Sequence, residues 1–170
     1  MIQTGAGWIY PPMPLHEFQR LLFKIFLAGS IEMGAARDWQ TEMSWDLKEY
    51  QDDILLLNPR RQDWDSSWEQ KIDNPQFNEQ VTWELDMLDA ADVIVFYFDP
   101  NTKSPVTLLE LGLHAPTRKH KFVYCPEGYW RKGNVDIVCK RYGIPVFNDK
   151  EEWLKAIKNE IDMWNNFMDY

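Results

Sequence analysis

Val93-Ile94-Val95-Phe96-Tyr97-Phe98 is followed by Asp99-Pro100-Asn101-Thr102-Lys103 and then by Ser104-Pro105-Val106-Thr107-Leu108-Leu109-Glu110-Leu111-Gly112-Leu113. Six consecutive apolar, β-branched and aromatic residues describe a strand buried on both faces. The polar, proline-containing link is a loop. Ser104 stands where an N-cap belongs, and Pro105 occupies the first helical position, where its missing N–H costs nothing. The unit is strand, loop, helix, with a single carboxylate, Glu110, in an otherwise apolar helix. An ionised carboxylate is expensive among leucines unless something compensates it. In an open parallel sheet, ligands bind where such loops leave the carboxyl ends of the strands. Glu110 is therefore either a reacting group at the sheet end or a residue on the solvent side of its helix.

The same alternation extends on both sides. Residues 23–28 form a first strand running into Gly29-Ser30-Ile31-Glu32-Met33-Gly34. Gly29 there allows the backbone to approach a ligand, and a helix over about residues 35–47 aims its N–H groups at the same spot. The Gly-x-Gly-x-x-Gly dinucleotide spacing is missing. Residues 53–57 form the next strand and lead into a long loop holding Asn58, Arg60, Arg61, Asp63, Trp64, Asp65 and Trp68. Long ordered loops of such make-up are usually functional. Trp64 or Trp68 could stack on a flat heterocycle while Asn58, Asp63 or Asp65 pairs with its edge; the alternative is a self-structured loop folded over the sheet end.

Residues 76–91 predict a helix with the stripe Val81, Leu85 and Leu88. Glu84 falls beside that stripe, whereas Glu79, Asp86 and Asp89 fall on the polar side; a rotation by one residue would put Asp86 in its place. Strands at 121–125 and 144–147 and helices at 135–142 and from 149 onward complete the pattern. In the last helix Trp153, Ile157, Ile161, Trp164 and Met168 form a core stripe. Residues 1–22, with Gly5, Gly7 and the Pro11-Pro12-Met13-Pro14 run, predict an arm anchored by Trp8 and Tyr10; residues 23–170 form the domain. The expected fold is a single α/β domain, a flavodoxin-like, doubly wound, five-stranded parallel sheet covered on both faces.

A chain of 170 residues, 45% hydrophobic and 15% aromatic, builds one domain with a proper core. Its net charge of −9 opposes a general nucleic-acid or membrane surface, and no apolar run approaches the roughly 20 residues that span a bilayer. Cys125 and Cys139 fit neither a disulfide nor a metal spacing, and the start resembles no signal peptide, so a cytoplasmic protein is expected. His16, His114 and His120 are too scattered to imply a metal. Arg60-Arg61 and Arg131-Lys132 are the local basic clusters that an anionic small molecule would need.

Two carboxylates near a pocket able to stack a base and hold a sugar suit attack at an anomeric carbon. The retaining route makes one carboxylate the nucleophile, with the pair roughly 5 Å apart, and a second group protonates or holds the departing base. No P-loop, nucleophile elbow or zinc signature supports phosphoryl transfer, ester hydrolysis or deamination.

Ile25-Phe26-Leu27-Ala28-Gly29-Ser30-Ile31, Trp83-Glu84-Leu85 through Ala91-Asp92-Val93-Ile94-Val95, Ser104 through Glu110-Leu111-Gly112, and Arg131-Lys132-Gly133-Asn134-Val135-Asp136 together resemble the nucleoside 2-deoxyribosyltransferase-like family over about residues 24–147. The Glu-Leu-Gly element, set at a fixed distance after the Ala-Asp strand start, is the most specific part. The resemblance implies reversible cleavage of the N-glycosidic bond of 2′-deoxynucleosides, with a free base as second substrate and no metal or organic cofactor. It implies a homo-oligomer in which a neighbouring subunit completes each site. It makes Glu110 the nucleophile and Glu84, where relatives often carry Asp, a substrate contact. Asn134 matches a residue that reaches the sugar 5′ side of the neighbouring subunit's substrate. The transferases proper place an Asp six residues before the nucleophile. Ser104 stands there instead and resembles the related hydrolases of deoxynucleoside 5′-monophosphates, where it helps hold phosphate; Gly29-Ser30-Ile31 also resembles their first loop. The Arg60-Arg61 loop fits neither relative. The expectation is thus a deoxyribosyltransferase with Glu110 and Glu84 as catalytic residues. Gly29, Ser30, Asn58, Asp63, Asp65, Ser104 and Asn134 are its expected substrate contacts. The alternatives are a monophosphate N-hydrolase and a non-catalytic nucleotide-binding sensor.

Overall fold

The computed structural model describes residues 7–16, 18–31, 36–61 and 63–168. Its six strands are β1 (Gly7–Ile9), β2 (Phe23–Gly29), β3 (Ile54–Leu57), β4 (Val93–Tyr97), β5 (His120–Tyr124) and β6 (Val146–Phe147). They form one sheet in the order β1-β3-β2-β4-β5-β6, and every pairing is parallel. The five helices are α1 (Trp39–Asp46), α2 (Pro75–Ala90), α3 (Pro105–His114), α4 (Lys132–Tyr142) and α5 (Lys150–Met168). Set aside β1, and the remaining strand order is the flavodoxin-like one. The expected five strands become six because residues 7–9 of the arm pair with β3. Gly5 and residues 32–35 lie outside the described residues.

β4 is buried at all its positions because both its faces are covered. Ile94, Phe96 and the following Phe98 join Trp83, Met87 and Leu88 of α2, Leu111 of α3 and Val135 and Cys139 of α4. Val93, Val95 and Tyr97 point the other way, to Trp39 and Met43 of α1 and Trp153, Ile157 and Ile161 of α5. A period of two along the strand thus distributes side chains to two cores. The last helix follows its predicted stripe through Trp153, Ile157 and Ile161, which are buried; Trp164 is half-buried, and Met168, where the helix runs past the sheet, is exposed rather than core. Among the described residues, no helix is long and apolar enough to cross a membrane.

Two local expectations are corrected. The first helix starts at Trp39, where the Asp38 side chain accepts from the Thr41 N–H at 3.2 Å and caps it. Gly29 does not lie open for a ligand. A Cβ there would stand 2.5 Å from Cζ2 of Trp39, and that indole stacks on Tyr97 at 4.8 Å between ring centroids. The glycine leaves room for an indole in the core.

Gly29→Ala should therefore displace Trp39 and destabilise the protein by about 1–3 kcal/mol. Urea unfolding followed by tryptophan fluorescence measures it; unchanged stability would show that the indole moves aside freely.

Candidate active site

The loops after β2 and β4 diverge at the point where the chain reverses its direction of travel across the sheet, which opens a crevice at the strands' carboxyl ends. α3 begins there. Its buried residues are Thr107, Glu110, Leu111 and His114, one stripe at helical spacing. Its outward residues are Val106, Leu109 and Leu113, with Leu109 70% exposed. The usual polarity of a surface helix is inverted: leucine and valine face out, and the carboxylate faces in. Glu110 is 8% exposed, so of the two sequence readings the solvent-side one is excluded.

α2 is rotated relative to the predicted stripe. Gln80, Trp83, Met87 and Leu88 are its buried residues, and Leu85 is exposed. Asp86 is exposed, while Glu84 is part-buried. The Gln80 amide nitrogen donates to Glu84 Oε1 at 2.8 Å and to the Pro59 carbonyl at 2.9 Å. Burial pushes the Glu84 carboxyl up to about 7, against the Gln80 hydrogen bond, which favours the ionised form. Burial raises Glu110 well above the ordinary carboxylate range, and the nearby Glu84 charge raises it further. The two glutamates thus form an electrostatically coupled pair.

A cluster of three hydroxyls lies at the start of α3. Ser30 Oγ meets Thr102 Oγ1 at 2.5 Å, Thr102 Oγ1 meets Ser104 Oγ at 2.9 Å, and Ser30 and Ser104 also touch. Ser104 occupies the N-cap position but makes no side-chain cap. Its backbone is left-handed, φ 48° and ψ 51°, a conformation unusual for a residue other than glycine. The strand-to-helix turn holds its hydroxyl in the crevice, against Ser30 from the neighbouring loop.

The loop after β3 is largely self-structured. Asn58 is buried, accepts from the Arg60 N–H at 2.9 Å and hydrogen-bonds the Tyr10 hydroxyl. Arg60 donates to the carbonyls of Ala36 and Arg37 at 3.2 Å each and pairs with Asp38, tying this loop to the one after β2. Asp63 pairs with Arg61, and Asp65 accepts from the Ser67 N–H. Both are exposed, and these contacts spend both carboxylates on the loop itself. Trp64 packs edge-on against Trp68, which also carries the Arg61 guanidinium over its ring. Asn134 is exposed on the first turn of α4. It lines a groove of about 490 Å³ between α3 and α4 with Leu108, Leu111, Gly112 and Arg131; neither glutamate lines it. The structure therefore couples Glu84 to Glu110 and joins Ser30 to Ser104, and gives Asp63, Asp65 and Asn134 no contact with either pair.

Gln80 and Thr102 were absent from the sequence expectations. Gln80 had a usable signal, since it lies four residues before Glu84 and so shares its helix face. Thr102, in a polar loop, had none. Among the described residues no group of three or more His, Cys, Asp or Glu is placed to hold a metal ion.

The chain is a parallel α/β protein with a coupled carboxyl pair, Glu110 buried and Glu84 part-buried, and residues 22–129 match the nucleoside 2-deoxyribosyltransferase-like family. That match spans well over half of the chain and includes both glutamates and the hydroxyl cluster; the chain belongs to this family. A conserved protein from Enterococcus faecalis V583 has a similar structure, with a TM-score of 0.61 at 15% identity over 82% of this chain and 99% of that one. At that identity the likeness extends to the fold alone. No curated protein matches the chain.

The pair also sets a pH dependence of stability. Glu110 has a higher pKa folded than unfolded, so it favours the fold below about pH 4.5, and that contribution is lost as pH rises through its folded value. Glu110→Gln should therefore be more stable than the native chain at pH 8, by about 0.5–2 kcal/mol, and the gain should vanish near pH 4. Thermal unfolding across that range tests the sign.

Proposed function

We propose that the protein is a nucleoside 2-deoxyribosyltransferase that exchanges the base of 2′-deoxynucleosides through a deoxyribosyl ester of Glu110. The observation that carries this reading is the buried Glu84–Glu110 pair at the sheet end. Burial raises both carboxyl groups, so the pair keeps a proton at hand near neutral pH, and that supply fits the chemistry. Attack by a Glu110 oxygen on C1′ forms the ester and breaks the C1′–N bond. Glu110 attacks as the carboxylate, its proton passing first to the Glu84 carboxylate and then, through water, to the departing base nitrogen. The half-reaction creates no net charge in a poorly hydrated place, and the second base reverses it. Glu84 contacts the sugar and orients the nucleophile, while Ser30 and Ser104 line the sugar's 5′ side.

A second reading is favoured by the hydroxyl cluster. Three hydroxyls at the N-terminus of a ten-residue helix suit a 5′-phosphate, which takes hydroxyl and N–H donors and is favoured by the helix dipole. Water would then replace the acceptor base, making the protein a deoxynucleoside 5′-monophosphate N-hydrolase. Incubation with deoxyinosine and adenine should yield deoxyadenosine, and Glu110→Ala should lower the rate by at least about a thousandfold while sparing the fold. Release of deoxyribose 5-phosphate from a monophosphate, with no base exchange, would replace the first reading by the second. Ligand binding without turnover of either substrate would make the protein a sensor.

We further propose that the protein is a homo-oligomer, with the outward apolar face of α3 as the contact. Val106, Leu109 and Leu113 there are all exposed, and exposed apolar patches commonly mark protein interfaces. A second copy seated there would bring its groove and Asn134 to the neighbouring site. Leu109→Glu should shift sedimentation from oligomer to monomer; a wild-type chain that sediments as a monomer at micromolar concentration would refute the assembly.

A further inference from the structure

Gln80 is 4% exposed, yet it lies in the interior face of α2 where a leucine or methionine would serve packing better. Both hydrogens of its amide nitrogen are committed, one to the Pro59 carbonyl and one to Glu84 Oε1. The carbonyl of Pro59 is only an acceptor, so the amide cannot be turned over without setting two oxygens against each other. Its own Oε1 is buried and has no partner among the described residues, a cost that a purely structural glutamine would not need to carry. The amide's orientation is thus fixed toward donation.

We infer that Gln80 is a positioning residue that makes Glu84 the ionised member of the carboxyl pair and leaves the proton on Glu110 in the free enzyme. This inference rests on the base-exchange reading for its catalytic meaning. The donor from Gln80 meets an oxygen of Glu84, and a hydrogen bond of that kind is roughly twice as strong to a carboxylate as to a neutral acid. Glu110 is the more buried of the two and acts on Glu84 from α3. From the end of β3, Asn58 and Pro59 present only neutral groups. The nearby cations are engaged elsewhere, Arg60 with Asp38 and two carbonyls, and Arg61 with Asp63 and Glu79. Greater burial of Glu110 and the amide donor on Glu84 act in the same direction, and the amide is the part of that ordering carried by a specific contact. The same bond ties Glu84 to the first residues after β3, so any movement of that loop on binding a base reaches the carboxylate directly.

The test is Gln80→Met, which keeps the volume and removes both donors. Protein labelled with carbon-13 at the glutamate carboxyl carbons is titrated by NMR, and base exchange is measured over the same pH range. In the native chain Glu84 should lose its proton before Glu110. In Gln80→Met the Glu84 titration should move up by about one unit, with about a tenfold loss of kcat/KM on the acid side that recovers at alkaline pH, and KM should change little. An unmoved Glu84 titration in the folded variant, or a loss of kcat equal at every pH, overturns the inference. Should Gln80→Met fail to fold, Gln80→Asn replaces it, keeping an amide but drawing its donor back from Glu84: the Glu84 titration should again move up, and an unmoved Glu84 overturns the inference. A chain that shows the upward Glu84 shift in Gln80→Met but exchanges no bases overturns the proposed function and supports the ordering by Gln80.

Discussion

Two carboxyl groups packed into one poorly hydrated place cannot both be ionised near neutral pH, because each charge lacks solvent and raises the energy of the other. Much of the local architecture follows from accommodating that pair. α3 turns Glu110 inward and leaves valine and leucine to face outward, which forfeits the burial that would normally hold a helix to a sheet. Leu111 and Ala115 recover part of it through the core they share with β4. α2 is rotated so that Gln80, rather than an aliphatic residue, occupies the interior above the end of β3.

The crevice itself is a product of connectivity. From β2 the chain moves to β3 on one side, then returns across the sheet to β4 on the other. The loops that leave β2 and β4 therefore separate, and Ser30 and Ser104 meet across the gap by their hydroxyls. Ser104 can do so because its backbone turns left-handed at the start of α3. Arg60 performs the corresponding service between the loops after β2 and β3, closing on the carbonyls of residues 36 and 37. Three loops from three strands are thus cross-linked by polar contacts while the strands beneath remain apolar.

The sequence made the strand–helix alternation legible because parallel strands buried on both faces announce themselves as unbroken apolar runs. Glu110 was legible as an anomaly, one acid in a run of leucines. Its inward orientation was not, since an apolar helix has no polar face from which to fix its rotation. The same ambiguity misplaced the α2 stripe: Leu85 looked internal by spacing and Gln80 was overlooked, because Trp83 and Met87 define the true face. Asp63 and Asp65 drew attention by their charge, yet charge in a loop says nothing of whether the loop consumes it. Gly29 illustrates a different limit. A small residue reports only that something needs space, and here the occupant is the Trp39 indole from a distant turn. β1 escaped notice because three residues beside a glycine- and proline-rich segment carry too little periodicity to register as a strand.

Among the described residues the two outermost strands are the shortest in the sheet, three residues at one margin and two at the other. The two-residue strand β6 presents too few unpaired amides and carbonyls to recruit an extended strand from another molecule, the usual route by which open sheets polymerise. Lateral growth through backbone pairing is thereby discouraged at that margin.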